Sequence, residues 1–473
     1  MNAKWIGQTL LAIAAMALPA AAAEEVEGVA LTVYNGDFGV VREVRAVDIN
    51  AGGEVRFVDV AAGIDPTSVH FRSLTDPAAK LLEQNYQYDL VSADKLLSKY
   101  LDKRIEVVAA DGRYSGELLS YDAQQLVLRR QGGLTMVQRP DNVRDIQFGA
   151  LPEGLITRPT LLWLIDTETP GKHLVEVTYQ TGRINWHAEY NLILSADNAT
   201  ADLAGWVSVD NRSGKTYRNA RCKFIAGDVR REAPRMRERR FAAGVALAKA
   251  APMAEKAFFE YHMYTLGRRT TVADNETKQL EMFSPARGVK IARKYLFNPL
   301  ERIAWRGGRY TDPGYGVDPA AKKVGVVIEL VNSEANQLGI PLPAGKVRVY
   351  KADPDDEALE FVGEQRIDHT PKDEKLKLRV GNAFDIVGER KQTKYTIDSR
   401  RNWLRESIEI KLRNHKSDNV TVRVKEPLYR AKGWRITTQS HEHVELDAHT
   451  LGWDLPVAAD GETVLTYTVE YNW

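Results

Sequence analysis

The sequence predicts an all-β protein built of several β-sandwich-like units with an inserted Sm-like small β-barrel. Three observations carry this. Apolar and polar residues alternate with a period of two along most of the chain, Gly, Pro, Asn and Asp punctuate the alternating runs at short intervals, and only one stretch has convincing helical spacing.

The first alternating run is LTVYNGDFGVVREVRAVDI (Leu31 to Ile49), where Asn35-Gly36 separates two β-rich arms in the way a hairpin requires. The same pattern returns in HLVEVTYQT, INWHAEYNLIL, LAGWVSVDN, KVGVVIELV, ESIEIKLRN, VTVRVKE and TVLTYTVEYNW. Within these runs Trp186 and Trp206 are expected as large core residues between sheets. The one helix is expected in SADKLLSKYL, with Ser92 as N-cap and Leu96, Leu97, Tyr100 and Leu101 as its apolar stripe. About five short strands follow, with Gly112, Gly116 and Gly132-Gly133 at the turns and a bent GELLSYD strand among them. That succession is the Sm-like unit.

Length and charge bound the classes of function. A chain of 473 residues is too long for one simple core. Its 65 Lys and Arg nearly balance 64 Asp and Glu, so there is no overall field to draw in nucleic acid, and none is expected as a partner. The single cysteine, Cys222, has no internal disulfide partner and is read as a buried, inert thiol.

The N-terminus reads as a secretory signal peptide: Lys4, the short apolar core Leu10 to Leu18, and Pro19 before an alanine run ending at Ala23. Cleavage there leaves Glu24, not a lipid-accepting Cys, and no later stretch has the length of a membrane helix. The expected localisation is therefore the periplasm, or peripheral association with the outer membrane. In order, the chain divides into a signal peptide (1–23), an N-terminal β segment (24–90), the helix with its Sm-like barrel (91–150), a β-sandwich (151–229), a basic, Ala-rich linker (230–257), a further β segment (258–297), a loop insertion (298–323) and a C-terminal β-sandwich (324–473).

No GxSxG elbow, HExxH helix, glycine-rich phosphate loop or Cys-based metal pattern occurs in the sequence. Three clusters remain. In Ile367 to Lys391, Asp368, His369, Asp373 and Glu374 surround Thr370-Pro371; a His beside carboxylates suits proton transfer, and a fixed hydrogen-bonded turn accounts for the same residues without chemistry. In Phe258 to Lys278, strand parity puts Glu260, His262 and Tyr264 on one face, followed by Asp274 and Glu276 in a polar turn; rings with carboxylates suit a glycan groove, and core packing is the competing account. His441 and His443 share a side of a strand, where an exposed polar strand end outweighs a metal site, so neither metal nor cofactor is expected.

The segments IDHTPKDEKLKLRVGNAFDIVGERK, LPEGLITRPTLLW and FFEYHMYTLGRRTTVADNETKQ resemble an extracytoplasmic bacterial family, domain of unknown function 4139, from about Leu31 to Trp473. That domain also forms the C-terminal part of mucoidy-inhibitor-like proteins. The resemblance implies a link to envelope or exopolysaccharide physiology, but those relatives carry a coiled-coil-like stretch where this chain has its Sm-like unit. The expectation is an exported, non-catalytic binding or scaffolding protein of the bacterial envelope, with an envelope glycan or another envelope protein as partner. Two alternatives stand beside it: an envelope hydrolase acting on polysaccharide through acidic residues and His, and an outer-membrane-associated β protein suggested by the alternating strand that ends at Trp473.

Overall fold

The structure is a computed structural model that describes residues 28–90, 92–150, 152, 155–227, 253–258, 261–301, 303, 307–353, 355–356, 358–398, 400 and 402–473. The expected signal peptide, most of the basic segment 230–257, and Glu260 lie outside the described residues. The regular structure of the described residues is nearly all strand, with one α-helix, as the period-two pattern requires. Ile184–Leu194 shows the cause: its burial alternates at every position, with Trp186, Ala188, Tyr190 and Leu192 inward.

The chain forms two compact units that interleave in sequence. The first comprises 1–185, 210–224 and 268–278; the second comprises 186–209, 225–267 and 279–473. The linear segments expected from sequence are regrouped accordingly.

In the first unit, one sheet orders the strands Tyr217–Ala226, Gly28–Tyr34, Phe38–Ile49, Gly171–Gly182 and Ile64–Ser73, and a second orders Glu54–Val58, Thr160–Asp166 and Lys80–Gln87. The sheets meet through Trp163, whose ring lies 4.9 Å from Phe57 of its own sheet and 5.3 Å from Phe71 of the other. The Asn35-Gly36 turn joins Gly28–Tyr34 to Phe38–Ile49 as expected, with Asp37 at φ 59.

The same unit contains the helix Ala93–Lys99, whose N-cap Ser92 Oγ accepts the Lys95 N–H at 3.3 Å. A five-stranded sheet follows, ordered Val143–Gln147, Arg104–Ala109, Gly112–Tyr121, Gln125–Arg130, Gly133–Gln138. The outer strands Gly133–Gln138 and Val143–Gln147 each pair on one side only among the described residues. Helix and sheet share a hydrophobic cluster of their own, from Leu97 and Tyr100 through Ile105, Leu118 and Leu128 to Val137. Gly116, expected at a turn, lies inside the strand Gly112–Tyr121, where a Cβ would stand 2.7 Å from the Arg129 carbonyl, and the irregularity in GELLSYD is the register shift between Leu118 and Ser120.

In the second unit, the 24-residue strand Lys375–Asp398 turns a corner. Its first part pairs with Lys323–Val331, and from Ile386 it pairs with Trp403–Asn414. Beyond it the sheet continues through Glu462–Asn472 to Gly433–Gln439. Val420–Pro427 pairs in parallel with the end of Glu276–Phe297 and antiparallel with Thr450–Val457. Side chains from both sets, including Phe297, Ile408, Ile410, Val422, Trp453, Leu465 and Val469, fill one core. Trp186 is buried as expected, whereas Trp206 is only half-buried because its strand turns the opposite parity inward. Cys222 is buried at 1 % exposure, and burial pushes its thiol up to about 12, which makes it a poor nucleophile.

Candidate functional site

The structure brings Asp368, His369, Asp373 and Glu374 together in the turn between Leu359–Ile367 and Lys375–Asp398, and all four are exposed. His369 Nδ1 accepts the Ala344 N–H at 3.1 Å. Leu342 and Thr370 exchange both backbone hydrogen bonds at 2.9 Å. Asp373 adopts a left-handed φ of 65°, and its N–H donates to the Asn332 carbonyl at 2.7 Å. Lys372 is paired with Glu334 at 2.5 Å.

The residue that organises this turn is Asn332, which the sequence reading passed over. It is 0 % exposed. Its Nδ2 donates to the carbonyls of Ile340 (2.7 Å), Pro371 (2.9 Å) and Thr370 (3.4 Å), while Oδ1 accepts the Gly339 N–H at 3.1 Å. A buried amide so placed satisfies carbonyls that a strand ladder has left behind.

The same corner is built twice more. Asn211 Nδ2 reaches the carbonyls of Lys215 (2.8 Å), Ala273 (2.9 Å) and Val272 (3.4 Å), and Oδ1 accepts the Ser213 N–H at 3.1 Å. Asn414 Nδ2 reaches Asp418 (2.8 Å), Ala458 (2.9 Å) and Val457 (3.5 Å), and Oδ1 accepts the Lys416 N–H at 3.0 Å. Each Asn ends a strand or directly follows one, and in each corner the residue two past the closer of the paired acceptors is left-handed: Asp373 (φ 65), Asn275 (φ 56) and Asp460 (φ 48). The turn singled out from sequence is one instance of a repeated architectural element.

Asp274 and Glu276 sit in the Asn211 corner. Asp274 Oδ1 accepts the Gly214 N–H at 2.9 Å, and Glu276 Oε2 accepts the Ala273 N–H at 2.8 Å. His262 and Tyr264 belong to the other unit, so the two halves of this sequence cluster are held in different bodies. Ala254–Phe258 and Tyr261–Thr265 pair antiparallel, with Phe258 opposite Tyr261, and His262 and Tyr264 share the parity of the second strand, while Glu260 lies outside the described residues. His262 Nδ1 lies 2.9 Å from Glu255 Oε1. Tyr264 is 1 % exposed and donates to the Pro341 carbonyl at 2.8 Å. His441 and His443 fall between strands, with Nδ1 atoms on Ser440 Oγ (2.9 Å) and Gln439 Oε1 (2.7 Å). Among the described residues no group of three or more His, Cys, Asp or Glu is placed to hold a metal.

Buried charge lies elsewhere. In the first unit Glu43, 1 % exposed, accepts from Tyr179 Oη (2.8 Å) and Arg45 Nε (2.7 Å) and pairs with Lys215 Nζ at 3.0 Å. Burial alone would raise its pKa, but Lys215, Arg45 and Tyr179 together hold the carboxyl below its usual range. In the second unit Arg390 Nε lies 2.9 Å from Glu426 Oε2, with side chains 4 % and 0 % exposed. Tyr467 donates to the same Glu426 oxygen at 2.6 Å.

Arg430 is used completely. Nε donates to Glu406 (2.8 Å), Nη1 to the carbonyls of Tyr310 (3.2 Å) and Asp312 (2.8 Å), and Nη2 to the Tyr315 carbonyl (3.1 Å) and Gln392 Oε1 (3.2 Å). That employs all five donors of a guanidinium. Arg390 Nη1 adds the Gly316 carbonyl at 3.3 Å, and Tyr395 Oη donates to the Thr311 carbonyl. The segment 310–316 therefore wraps its carbonyls around two buried arginines. Gly316 is left-handed at φ 80, and a Cβ there would overlap the Tyr429 ring. This stretch, expected as a loop insertion with no fixed pattern, is a built and docked element.

Residues 175–473 match the family described as Domain of unknown function (DUF4139). The chain belongs to this family. The match takes in the strands from Gly171–Gly182 onward, all three Asn corners and both buried Arg–Glu pairs of the second unit, while the Sm-like unit and the segment from Leu151 to Trp163 precede it. No curated protein matches the chain.

Proposed function

We propose that this DUF4139 protein is an exported binding or scaffolding protein of the bacterial envelope whose chemistry is recognition, not bond making. One observation carries the reading. The Asp368 to Glu374 turn is built like the Asn211 and Asn414 corners, in which the residues at the His369 position differ, so architecture accounts for the turn without a reaction. The buried acids and bases add support, because Glu43, Glu406, Glu426, Arg390 and Arg430 all spend their polar atoms within the fold. Units that devote buried charge to fixing their own loops are suited to presenting surfaces.

Export rests on the N-terminal sequence: a charged start, a short apolar core and an alanine-rich cleavage region. Among the described residues no helix is long and apolar enough to cross a membrane. Cell fractionation with N-terminal sequencing tests the reading. The mature chain is expected in the periplasmic fraction beginning near Glu24; a chain retaining Met1 in the cytosol would overturn it.

A further inference from the structure

We propose that the outward face of the C-terminal sheet is a binding surface for an acidic polysaccharide. This rests on the envelope-binding reading and gives it a site and a ligand class. The sheet portion is formed by residues 386–398 of Lys375–Asp398, with Trp403–Asn414, Glu462–Asn472 and Gly433–Gln439. Its inner side carries Leu404, Ile408, Ile410, Leu465, Val469 and Tyr471, all buried in the core. The opposite side chains face outward by strand parity.

Two adjacent rows on that outer face define the chemistry. The first crosses four strands as Thr396, Arg405, Glu470 and Arg435. Both arginines bond the one carboxylate, Arg405 Nη2 at 2.5 Å and Arg435 Nη2 at 2.6 Å, so the row holds two fixed guanidinium groups against a single negative charge. The Arg405 guanidinium also lies 5.3 Å from the Trp403 ring centroid, which limits its freedom further. The second row runs Lys394, Ser407, Thr468 and Thr438. Ser407 Oγ and Thr468 Oγ1 are 2.9 Å apart, giving a line of hydroxyls beside the cations. Lys391 and Lys394 are exposed and have no ion-pair partner among the described residues.

Each arginine spends its Nε–Nη2 edge on Glu470, which aims its Nη1 donors and surplus positive charge at a ligand carboxylate, and a row of hydroxyls suits the hydroxyls of a sugar. Neighbouring strands are about 4.8 Å apart, close to the length of one sugar unit in an extended chain, so successive residues of a linear polymer can meet successive strands. A lipid surface fits less well, because these rows present Thr, Ser, Lys and Arg and lack the exposed large apolar side chains that insert between acyl chains.

The test uses the full-length mature chain and three probes: polygalacturonate oligomers, neutral dextran, and vesicles containing phosphatidylglycerol. The variant combines Lys391→Gln, Lys394→Gln and Arg435→Gln, all exposed positions, with a melting curve to show that the fold is kept. Polygalacturonate is expected to bind and to weaken about tenfold or more in the variant, the sum of three contacts of surface ion-pair strength, with dextran and vesicles unbound. Absence of polygalacturonate binding, unchanged binding in the variant, or variant-sensitive binding to the vesicles instead would each overturn the assignment. An exported chain that ignores polygalacturonate removes only this site, whereas a chain retained in the cytosol removes the envelope reading and leaves the binding result standing.

Discussion

Arg430 and Glu406 are bonded at 2.8 Å with both side chains 1 % exposed. Taking such a pair from water costs more than its attraction returns unless every remaining donor finds a partner. Here the remaining donors go to Gln392 and to the backbone of residues 310–315, so the ion pair fixes a loop.

Arg430→Met should therefore destabilise the chain by about 3–5 kcal/mol, because Glu406 is left charged and buried. The double variant Arg430→Met with Glu406→Leu should recover much of that loss, yet cleavage by protease within 309–318 should stay raised, since no donors hold the loop carbonyls. Denaturant melts with limited proteolysis check both parts. A double variant whose loop is as resistant as the wild type would show that the arginine does not anchor it.

The three Asn corners should be equivalent in energy as they are in geometry. Asn332→Ala and Asn414→Ala are each expected to cost about 2–3 kcal/mol, the penalty for stranding buried carbonyls. Thermal or denaturant unfolding of the two variants measures it. A loss within experimental error at Asn332 would mean that the turn beside it holds itself together.

Glu43 sets an acid limit. Its folded pKa lies below that of an exposed glutamate, so between the two values the unfolded chain binds more protons and stability rises with pH. The contribution is complete above the unfolded value of about 4.3 and is lost as pH falls through the lower, folded value. Glu43→Gln should thus be less stable than wild type at pH 6, and the gap should narrow at pH 3. A gap of constant size would assign acid sensitivity to other groups.

The all-β class, the Asn35-Gly36 hairpin and the Ser92-capped helix were legible because each depends on local pattern. The Asn corners were not. Their flanks, VDNRSGK, LVNSEAN and LRNHKSD, share little besides the Asn, and while each holds one carbonyl nearby, the closer of its paired acceptors lies 39 to 62 residues along the chain. Part of the buried charge did leave a trace: Glu406 is in phase with Ile408, Ile410 and Leu412, and Glu426 with Val420, Val422 and Val424, which marks an acid on a core face. Arg430 left none, since it lies beyond a strand end and its partners come from three separate segments. The run from Phe258 to Tyr264 belongs to two paired strands, with Phe258 ending one and Tyr261 beginning the other, a division that no local pattern marks.

The most direct test of the central claim, that the family-specific turn is architecture, is complementation of a deletion strain by His369→Ala, read beside the amount of exported protein. The side chain accepts one backbone N–H from Ala344, so its loss should lower the melting temperature slightly, and any envelope phenotype should fall only in step with abundance. A His369→Ala protein that is stable, exported in normal amount and unable to complement would contradict the account and make this turn a site of chemistry.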